Sequence, residues 1–258
     1  MSIKTLDLRK QAIAASFSKA ANGYDNFAIV EQEIGKRLLQ RLECIKLQPR
    51  YILDLGCGTG YFAKQLQVLF PQAIIIGIDI AFGMIKIASI NTEQQYCCAD
   101  AEHLPFVAQQ FDLIFSNCCM PSMQNPTALI AEAQRVLTID GLFLFTTWGP
   151  DTLYELGIEL NNHEMHQVGD LLLQQQYKNP VVDTEQLIFS YNKLQILLED
   201  LQQSGSFEID FTQMENLQLP CKATFEVVYG HAWNQPNKKQ VTDSLGNAYV
   251  PLSDLKIL

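Results

Sequence analysis

Apolar residues recur at three- and four-residue steps through residues 6–22 and again through 27–46, where Ile29, Val30, Ile34, Leu38, Leu39 and Leu42 would share one helical face. Pro49 closes this helical prelude. From there the period changes. Short, nearly continuous apolar runs at 51–55, 73–79, 95–99, 111–117 and 142–148 read as strands, and helical patterns at 61–70, 84–89 and 127–137 separate most of them. Continuous apolar strands alternating with helices predict an α/β fold, a parallel sheet covered on both faces. After Gly149-Pro150 the alternation loosens into a helix at 168–175, a strand at 187–191, a helix at 193–203 and a strand at 224–229. The last 25 or so residues are polar, contain Pro236 and Pro251, and read as a loosely held tail. The expected organisation is a helical cap over 1–48, a main domain over 49–233 with an inserted cap near 150–180, and a tail over 234–258.

Between the first strand and its helix lies Asp54-Leu55-Gly56-Cys57-Gly58-Thr59-Gly60. Glycines at such a junction let the chain turn sharply and let a ligand approach bare backbone. The spacing is Gly-x-Gly-x-Gly, which differs from the Gly-x-Gly-x-x-Gly of a dinucleotide pyrophosphate site. Asp79 ends the second strand, where a carboxylate can accept from two ribose hydroxyls or cap the following helix. Asn117, at the carboxyl end of the fourth strand, lies where open α/β sheets place their ligands.

Composition adds boundaries. The 258 residues, 48% apolar and 18% charged, suit a soluble globular chain, and no apolar run approaches the ~20 residues that span a bilayer. The first 25 residues lack the continuous apolar segment of a secretory signal. Seven cysteines with vicinal pairs at Cys97-Cys98 and Cys118-Cys119 do not resemble a disulfide framework, so a reducing cytoplasm is expected. These pairs read as small buried side chains. His163-Glu164-Met165-His166 lacks the four-residue histidine spacing of a zinc protease, and no metal is expected. A net charge of −10 argues against nucleic acid as a partner. The charge is uneven: residues 1–90 hold 11 of the 18 bases and 7 of the 28 acids.

The glycine segment resembles motif I of the Rossmann-like S-adenosylmethionine-dependent methyltransferases. That resemblance implies a doubly wound seven-stranded sheet with helices on both faces, an N-terminal helical cap and a helical insertion after the fifth strand. It also implies that Asp54, Gly56, Cys57, Gly58 and Gly60 hold the methionine end of S-adenosylmethionine, with S-adenosylhomocysteine as product. Asp79, Ile80 and Met84 would flank the ribose. Asp100 would face the adenine amino group, with Ala101, Glu102 and Asn117 completing the set; taken alone, Asp100 reads equally as a loop carboxylate.

Longer segments resemble one family, the malonyl-acyl-carrier-protein O-methyltransferases of biotin synthesis. They are Phe17-Ser18-Lys19-Ala20-Ala21-Asn22-Gly23-Tyr24-Asp25, Thr146-Thr147-Trp148-Gly149-Pro150-Asp151-Thr152-Leu153-Tyr154-Glu155-Leu156, Met165-His166-Gln167-Val168-Gly169-Asp170 and Glu226-Val227-Val228-Tyr229-Gly230-His231-Ala232-Trp233. The resemblance implies methyl esterification of the free carboxylate of malonyl-acyl-carrier protein or malonyl-CoA by a monomer, with no membrane partner. It places Tyr24 at the active site, where a phenol could donate to that carboxylate; as an isolated residue it reads equally as a core aromatic of the cap. Arg9, Lys10, Lys19, Lys36, Arg37 and Arg41, on the N-terminal helices, would form a docking face for an acidic carrier. Two departures stand out. Pro121-Ser122 occupy a stretch where the family commonly has an aromatic residue, and the segment from Ser204 to Lys222 is short and acidic, with Lys222 its only base. Alternatives are a methyltransferase of another small acid or quinone precursor, and a methyltransferase-like protein-modification or assembly factor.

Overall fold

A computed structural model describes residues 3–157, 162–204, 221–235, 241–242 and 248–249. Three helices, α1 (Ile3–Ala20), the single turn α2 (Tyr24–Phe27) and α3 (Ile29–Leu42), precede the sheet. Then come β1 (Tyr51–Leu55), α4 (Tyr61–Leu69), β2 (Ile74–Asp79), α5 (Phe82–Asn91), β3 (Gln95–Cys98) and β4 (Phe111–Ser116). The chain continues through α6 (Pro126–Val136), β5 (Leu137–Trp148), α7 (Met165–Gln174), β6 (Lys178–Tyr191), α8 (Leu194–Ser204) and β7 (Cys221–Trp233). The seven strands form one sheet in the order β3-β2-β1-β4-β5-β7-β6, parallel except for β7, which runs against both its neighbours. This is the doubly wound Rossmann-like sheet expected from the sequence.

Register explains why both faces need cover. Ile52, Leu113 and Leu142 sit side by side in β1, β4 and β5, as do Leu53, Ile114 and Phe143 one residue along. Strand side chains alternate faces, so the first row packs under α3, α4 and α8 through Ile34, Leu38, Leu66 and Leu197, while the second packs under α6 and α7 through Ile130, Ala133, Val168 and Leu172. The apolar pattern marked each of these elements, but set the start of β5 five residues and that of α7 three residues too late. Asn125 caps α6, its side chain accepting from the Ala128 N–H.

Three strands are longer than their patterns, β5 by its first five residues. β6 begins at Lys178, nine residues before the run at 187–191, and β7 spans 221–233. β6 is an edge strand, paired only with β7 among the described strands. Its polar first half, including Asp183 and Glu185, therefore lacks the apolar signature that marks a buried strand. Conversely, α3 ends at Leu42, short of Lys46. The expected tail is described only in part. Asn234 is buried and its side chain donates to the carbonyls of Gln134, Leu137 and Thr138 at 3.2, 2.9 and 3.2 Å, pinning the end of β7 to the start of β5. Val241–Thr242 pairs with Ala248–Tyr249; residues 205–220, 236–240, 243–247 and 250–258 lie outside the described residues. No helix among the described residues is long and apolar enough to cross a membrane.

α3 also approaches α4 closely. Gly35, midway along α3, faces the Phe62 ring so tightly that a β-carbon there would lie 2.0 Å from Cζ. Gly35→Ala gains about 1 kcal/mol of helix propensity but forces overpacking against a ring that also contacts Tyr61 and Phe115, a cost of about 1–3 kcal/mol. The expected net effect is a lower urea midpoint at unchanged slope; a raised midpoint would mean that Phe62 can slide aside without penalty.

Candidate active site

The sheet winds outward from β1 in both directions, to β2 and β3 on one side and to β4 and β5 on the other. Its crevice opens at the carboxyl ends of β1 and β4, the switch point where such sheets bind ligands. Asp54 and Asn117 stand at those two ends. Between β1 and α4 the glycine segment is held by backbone bonds from Gly56 and Cys57 N–H to the Ile78 carbonyl, both 2.9 Å, and from the Gly58 N–H to Asp79 Oδ2 at 3.0 Å. Asp79 Oδ1 accepts the Ala81 N–H at 2.8 Å as well. The carboxylate thus ties two loops together and still has lone pairs free for hydroxyl donors.

Two glycines show what the loop is shaped for. Gly56 has φ +76°, and a β-carbon would strike Cys119 at 2.7 Å. Gly58 has φ +53°, with nothing within 4 Å of where a β-carbon would be. The first is required by packing. The second leaves bare backbone facing open space, a cradle for a ligand.

The cavity above this loop is walled by Tyr24, Asp54, Gly56, Cys57, Gly58, Asp79, Ile80, Met84, Asp100, Ala101 and Asn117, all expected from the sequence. Two other expected residues lie off its wall. Gly60 turns toward Tyr96 and Ala88, and Glu102 is buried with its carboxylate accepting from Lys10 Nζ and from the Gln124 and Asn125 N–H groups at 2.9, 2.9 and 3.2 Å. Sequence reasoning missed Lys10, Asp25, Glu31, Gln32, Thr59, Cys118 and Cys119, which also line the cavity.

Most of the missed residues belong to the cap and its attachments. Lys10 reaches from α1 to Asp100 Oδ2 at 2.5 Å, holding that carboxyl below its usual range against the opposing effect of its partial burial. Asp25 accepts from Thr59 Oγ1 of the glycine loop at 2.6 Å. Gln32 Nε2 donates to the Asp25 carbonyl at 2.7 Å, and Asn117 Nδ2 to the Glu31 carbonyl at 2.9 Å. Ser18 Oγ accepts from the Gly83 N–H at 3.1 Å, seating α1 on α5. The cap therefore roofs the cavity.

Electrostatics divide the site. Asp54 is 2% exposed, and its Oδ2 has no hydrogen-bond partner. Loss of water, and then repulsion from Asp79, push its carboxyl up to about 7. Loss of water likewise raises Asp79 to about 6, against the pull of its backbone donors. Elsewhere on the cavity wall, burial holds the Tyr24 phenol and the Cys118 thiol well above their ordinary values and raises the thiol of Cys119, which packs against Gly56, to about 12. An orphaned carboxylate oxygen, a bare glycine cradle and a second carboxylate beyond it match the ammonium, carboxylate and ribose of S-adenosylmethionine. The residues present fit that molecule.

Elsewhere two readings change. Cys98 and Cys44 are exposed, and the cysteine pairs are not uniformly buried. The basic docking face on α3 is largely spent internally: Arg37 binds Glu33 and Glu185, while Arg41 binds Asp183 at 2.8 Å and stacks 4.0 Å from the Tyr229 ring centre. Among the described residues no group of His, Cys, Asp and Glu is placed to hold a metal ion.

Comparison with known proteins agrees with this geometry. Residues 53–145 match the family model described as a methyltransferase domain. A malonyl-[acyl-carrier protein] O-methyltransferase of Gallionella capsiferriformans is 36% identical, covering 87% of this chain and 90% of its own. Its counterpart in Legionella pneumophila is 34% identical, covering 88% and 92%. Among solved structures, phosphoethanolamine N-methyltransferase 2 of Haemonchus contortus, in complex with S-adenosyl-L-methionine, superposes with a TM-score of 0.56 at 19% identity, covering 78% of this chain and 52% of that one, a likeness of fold.

The raised carboxyls set a pH dependence. Asp54 and Asp79 retain protons that the unfolded chain releases near pH 4, so their contribution to stability is fully present below that pH and is lost as pH rises through about 6 to 7. An ammonium beside Asp54 favours the ionised form. Affinity for S-adenosylmethionine should therefore rise between about pH 5.5 and pH 7.5 with release of a proton, read by calorimetry in buffers of different ionisation heat. Asp54→Asn should bind more weakly and flatten the dependence. A wild-type affinity independent of pH would exclude Asp54 as the ammonium's partner.

Proposed function

The chain belongs to the malonyl-[acyl-carrier protein] O-methyltransferase family, and we propose on that premise that it esterifies the free carboxylate of a malonyl thioester, opening the acyl chain of the biotin pathway in the cytoplasm. S-adenosylmethionine is the methyl donor, and when bound it supplies an electrophilic methyl group on a sulfonium. Neutralising the malonyl charge would let ordinary chain-extending enzymes accept an otherwise unsuitable acid.

The observation that carries this reading is that the buried Tyr24 hydroxyl and the Cys118 thiol line the same cavity as the glycine loop. Tyr24, Cys118 and Cys119 line the cavity there, and all three remain protonated at neutral pH. They can donate to an anion but cannot take a proton from an alcohol or a carbon acid. A carboxylate is already ionised and needs no base. Tyr24 is suited to hold one carboxylate oxygen by donating its phenol proton, leaving the other in line with the methyl group. Phe17 meets the Tyr24 ring edge-on at 6.3 Å and limits its swing. Asn117 would form the opposite wall, its amide fixed between the Glu31 carbonyl and Thr146 Oγ1. Asp54, Asp79 and the glycine loop would orient the donor from below.

Labelled methyl groups should accordingly appear in a base-labile ester of a malonyl thioester. Tyr24→Phe should lower kcat/KM for that substrate by roughly ten- to a hundredfold, the worth of one hydrogen bond to a charged group. Label in a product that resists mild base would overturn the carboxylate as acceptor.

A further inference from the structure

The active-site cavity is rich in acid. Its lining includes the carboxyls of Asp25, Glu31, Asp54, Asp79 and Asp100, and Lys10 is the only cation among the described residues that line it. Lys10 is committed to Asp100 and Glu102. Asp54 and Asp79 face the methyl donor, and Asp25 holds Thr59 of the glycine loop. The Glu31 carboxyl belongs to neither set.

Glu31 lies in the first turn of α3 and is 6% exposed. Its backbone carbonyl accepts from Asn117 Nδ2 at 2.9 Å, which seats this turn against the end of β4. Burial first, and then the charge on Glu31, hold the Tyr24 phenol above its ordinary value, ahead of Asp79 and Asp25. The same two causes, in the same order, raise the Cys118 thiol. Of the cavity's acids, Glu31 therefore acts most strongly on the two donors of the acceptor side. Around it stand Tyr24 and Asp25 of α2, Tyr61 of α4 and Cys118 after β4. On its own helix Glu33 and Arg37 pair with each other. An anionic acceptor brought to Tyr24 thus meets a buried carboxyl, and two carboxyl groups in one buried site do not both ionise.

We propose that Glu31 is a second acid donor to the acceptor: protonated in the complex, it donates its O–H to the malonyl carboxylate oxygen that Tyr24 also holds. The inference rests on the carboxylate reading above. That oxygen has two lone pairs and can accept from both donors while the other oxygen attacks. In the transfer, a lone pair of the attacking oxygen forms the new O–CH3 bond, the electron pair of the breaking C–S bond returns to sulfur, and the Glu31 proton stays on Glu31. The carboxylate and sulfonium charges vanish together, leaving an ester and a thioether. A neutral ester accepts more weakly than a carboxylate, so the grip loosens once the methyl group has moved. Glu31 thereby admits an anion to a cavity whose other carboxyls oppose it.

The acceptor should bind with uptake of a proton, and its affinity should be lost as rising pH ionises Glu31. At saturating S-adenosylmethionine, which removes the pH dependence of donor binding, kcat/KM for malonyl-CoA should fall between about pH 6 and pH 9, by about tenfold per unit on the falling limb. Tyr24 and the two cavity thiols titrate too high to supply that limb. Glu31→Gln keeps a donor that cannot ionise; it should be about tenfold less active at the acid end and flat across the range. Calorimetry of malonyl-CoA binding to the S-adenosylhomocysteine complex, in buffers of different ionisation heat, should show proton uptake in the wild type and none in Glu31→Gln. The wild-type profile and proton count stand on their own if the variant fails to fold. A wild-type profile that is flat over this range, or a falling limb that persists in Glu31→Gln, would overturn the assignment. A rising limb abolished by Glu31→Gln would make Glu31 a base and overturn it equally. A wild-type complex that takes up a proton through Glu31 on binding malonyl-CoA, yet transfers no methyl group to it, would instead overturn the functional reading and leave Glu31 as an anion's donor.

Discussion

Asp54 and Asp79 end adjacent parallel strands, with Asp54 fully withdrawn from water and the two close enough for each charge to oppose the other. In the free protein this arrangement is costly, and nothing in the core requires it: Asp54 Oδ2 meets no donor at all. Other features follow from keeping the pair in place. The glycine loop bends back so that its N–H groups reach Ile78 and Asp79, and Gly56 must lack a side chain because Cys119 occupies the space. Protonation relieves the cost in the free protein, and a positive charge beside Asp54 with hydroxyl donors beside Asp79 would relieve it with both carboxylates ionised. A fold that stores this much unsatisfied acceptor capacity at one point is shaped around its ligand.

The sheet makes the concentration possible. Parallel strands with β1 at the switch point bring their carboxyl ends together, so residues 25 apart in sequence become neighbours without any long-range device. Both sheet faces are occupied by helices, which leaves only this end of the sheet open to a ligand. The cap then closes it. The polar attachments of α1 and α2 include Ser18 to Gly83, Asp25 to Thr59 and Lys10 to Asp100. The cap's apolar attachments are of two kinds: Ile34, Leu38 and Leu42 of α3 belong to the main core over β1, β4 and β5, while α1 and α2 rest on the small cluster of Ala21, Ala81 and Met84, with Phe17, Tyr24 and Ile87 packed around it. The polar contacts of α1 and α2 exchange with water more readily than the core contacts of α3 and restrain those two helices less.

Legibility in the sequence follows from the range of each interaction. The glycine loop, Asp79 and Asn117 were readable because each sits at a strand end that the apolar runs already mark. The cap's role was not. Lys10 meets Asp100 across 90 residues and Thr59 meets Asp25 across 34, and no local period encodes such pairings. The first half of β6 was missed for another reason: as an edge strand it carries Asp183 and Glu185 toward α3, so the apolar signal is absent where the strand is most exposed. Glu102 illustrates the converse error. Its place beside Asp100 suggested a ligand contact, yet its carboxylate gathers Lys10 and the Gln124 and Asn125 N–H groups and serves the scaffold.

Charge counting misled in an instructive way. The surplus of bases in the first 90 residues suggested a surface attractive to an acidic partner, but Lys10, Arg37 and Arg41 are all committed to carboxylates within the chain. They hold the cap to the adenine-side loop and α3 to the edge strand. The net charge of −10 therefore stands largely uncompensated at the surface, and a broad electrostatic attraction to an acidic carrier would be opposed at long range. Over distances beyond about 10 Å salt screens that opposition, so any attraction between like-charged surfaces has to come from short-range contacts. The cationic residues of α3 thus divide by their partners: Arg37 and Arg41 bind the helix to β6, and Lys36 stands exposed with no ion pair among the described residues.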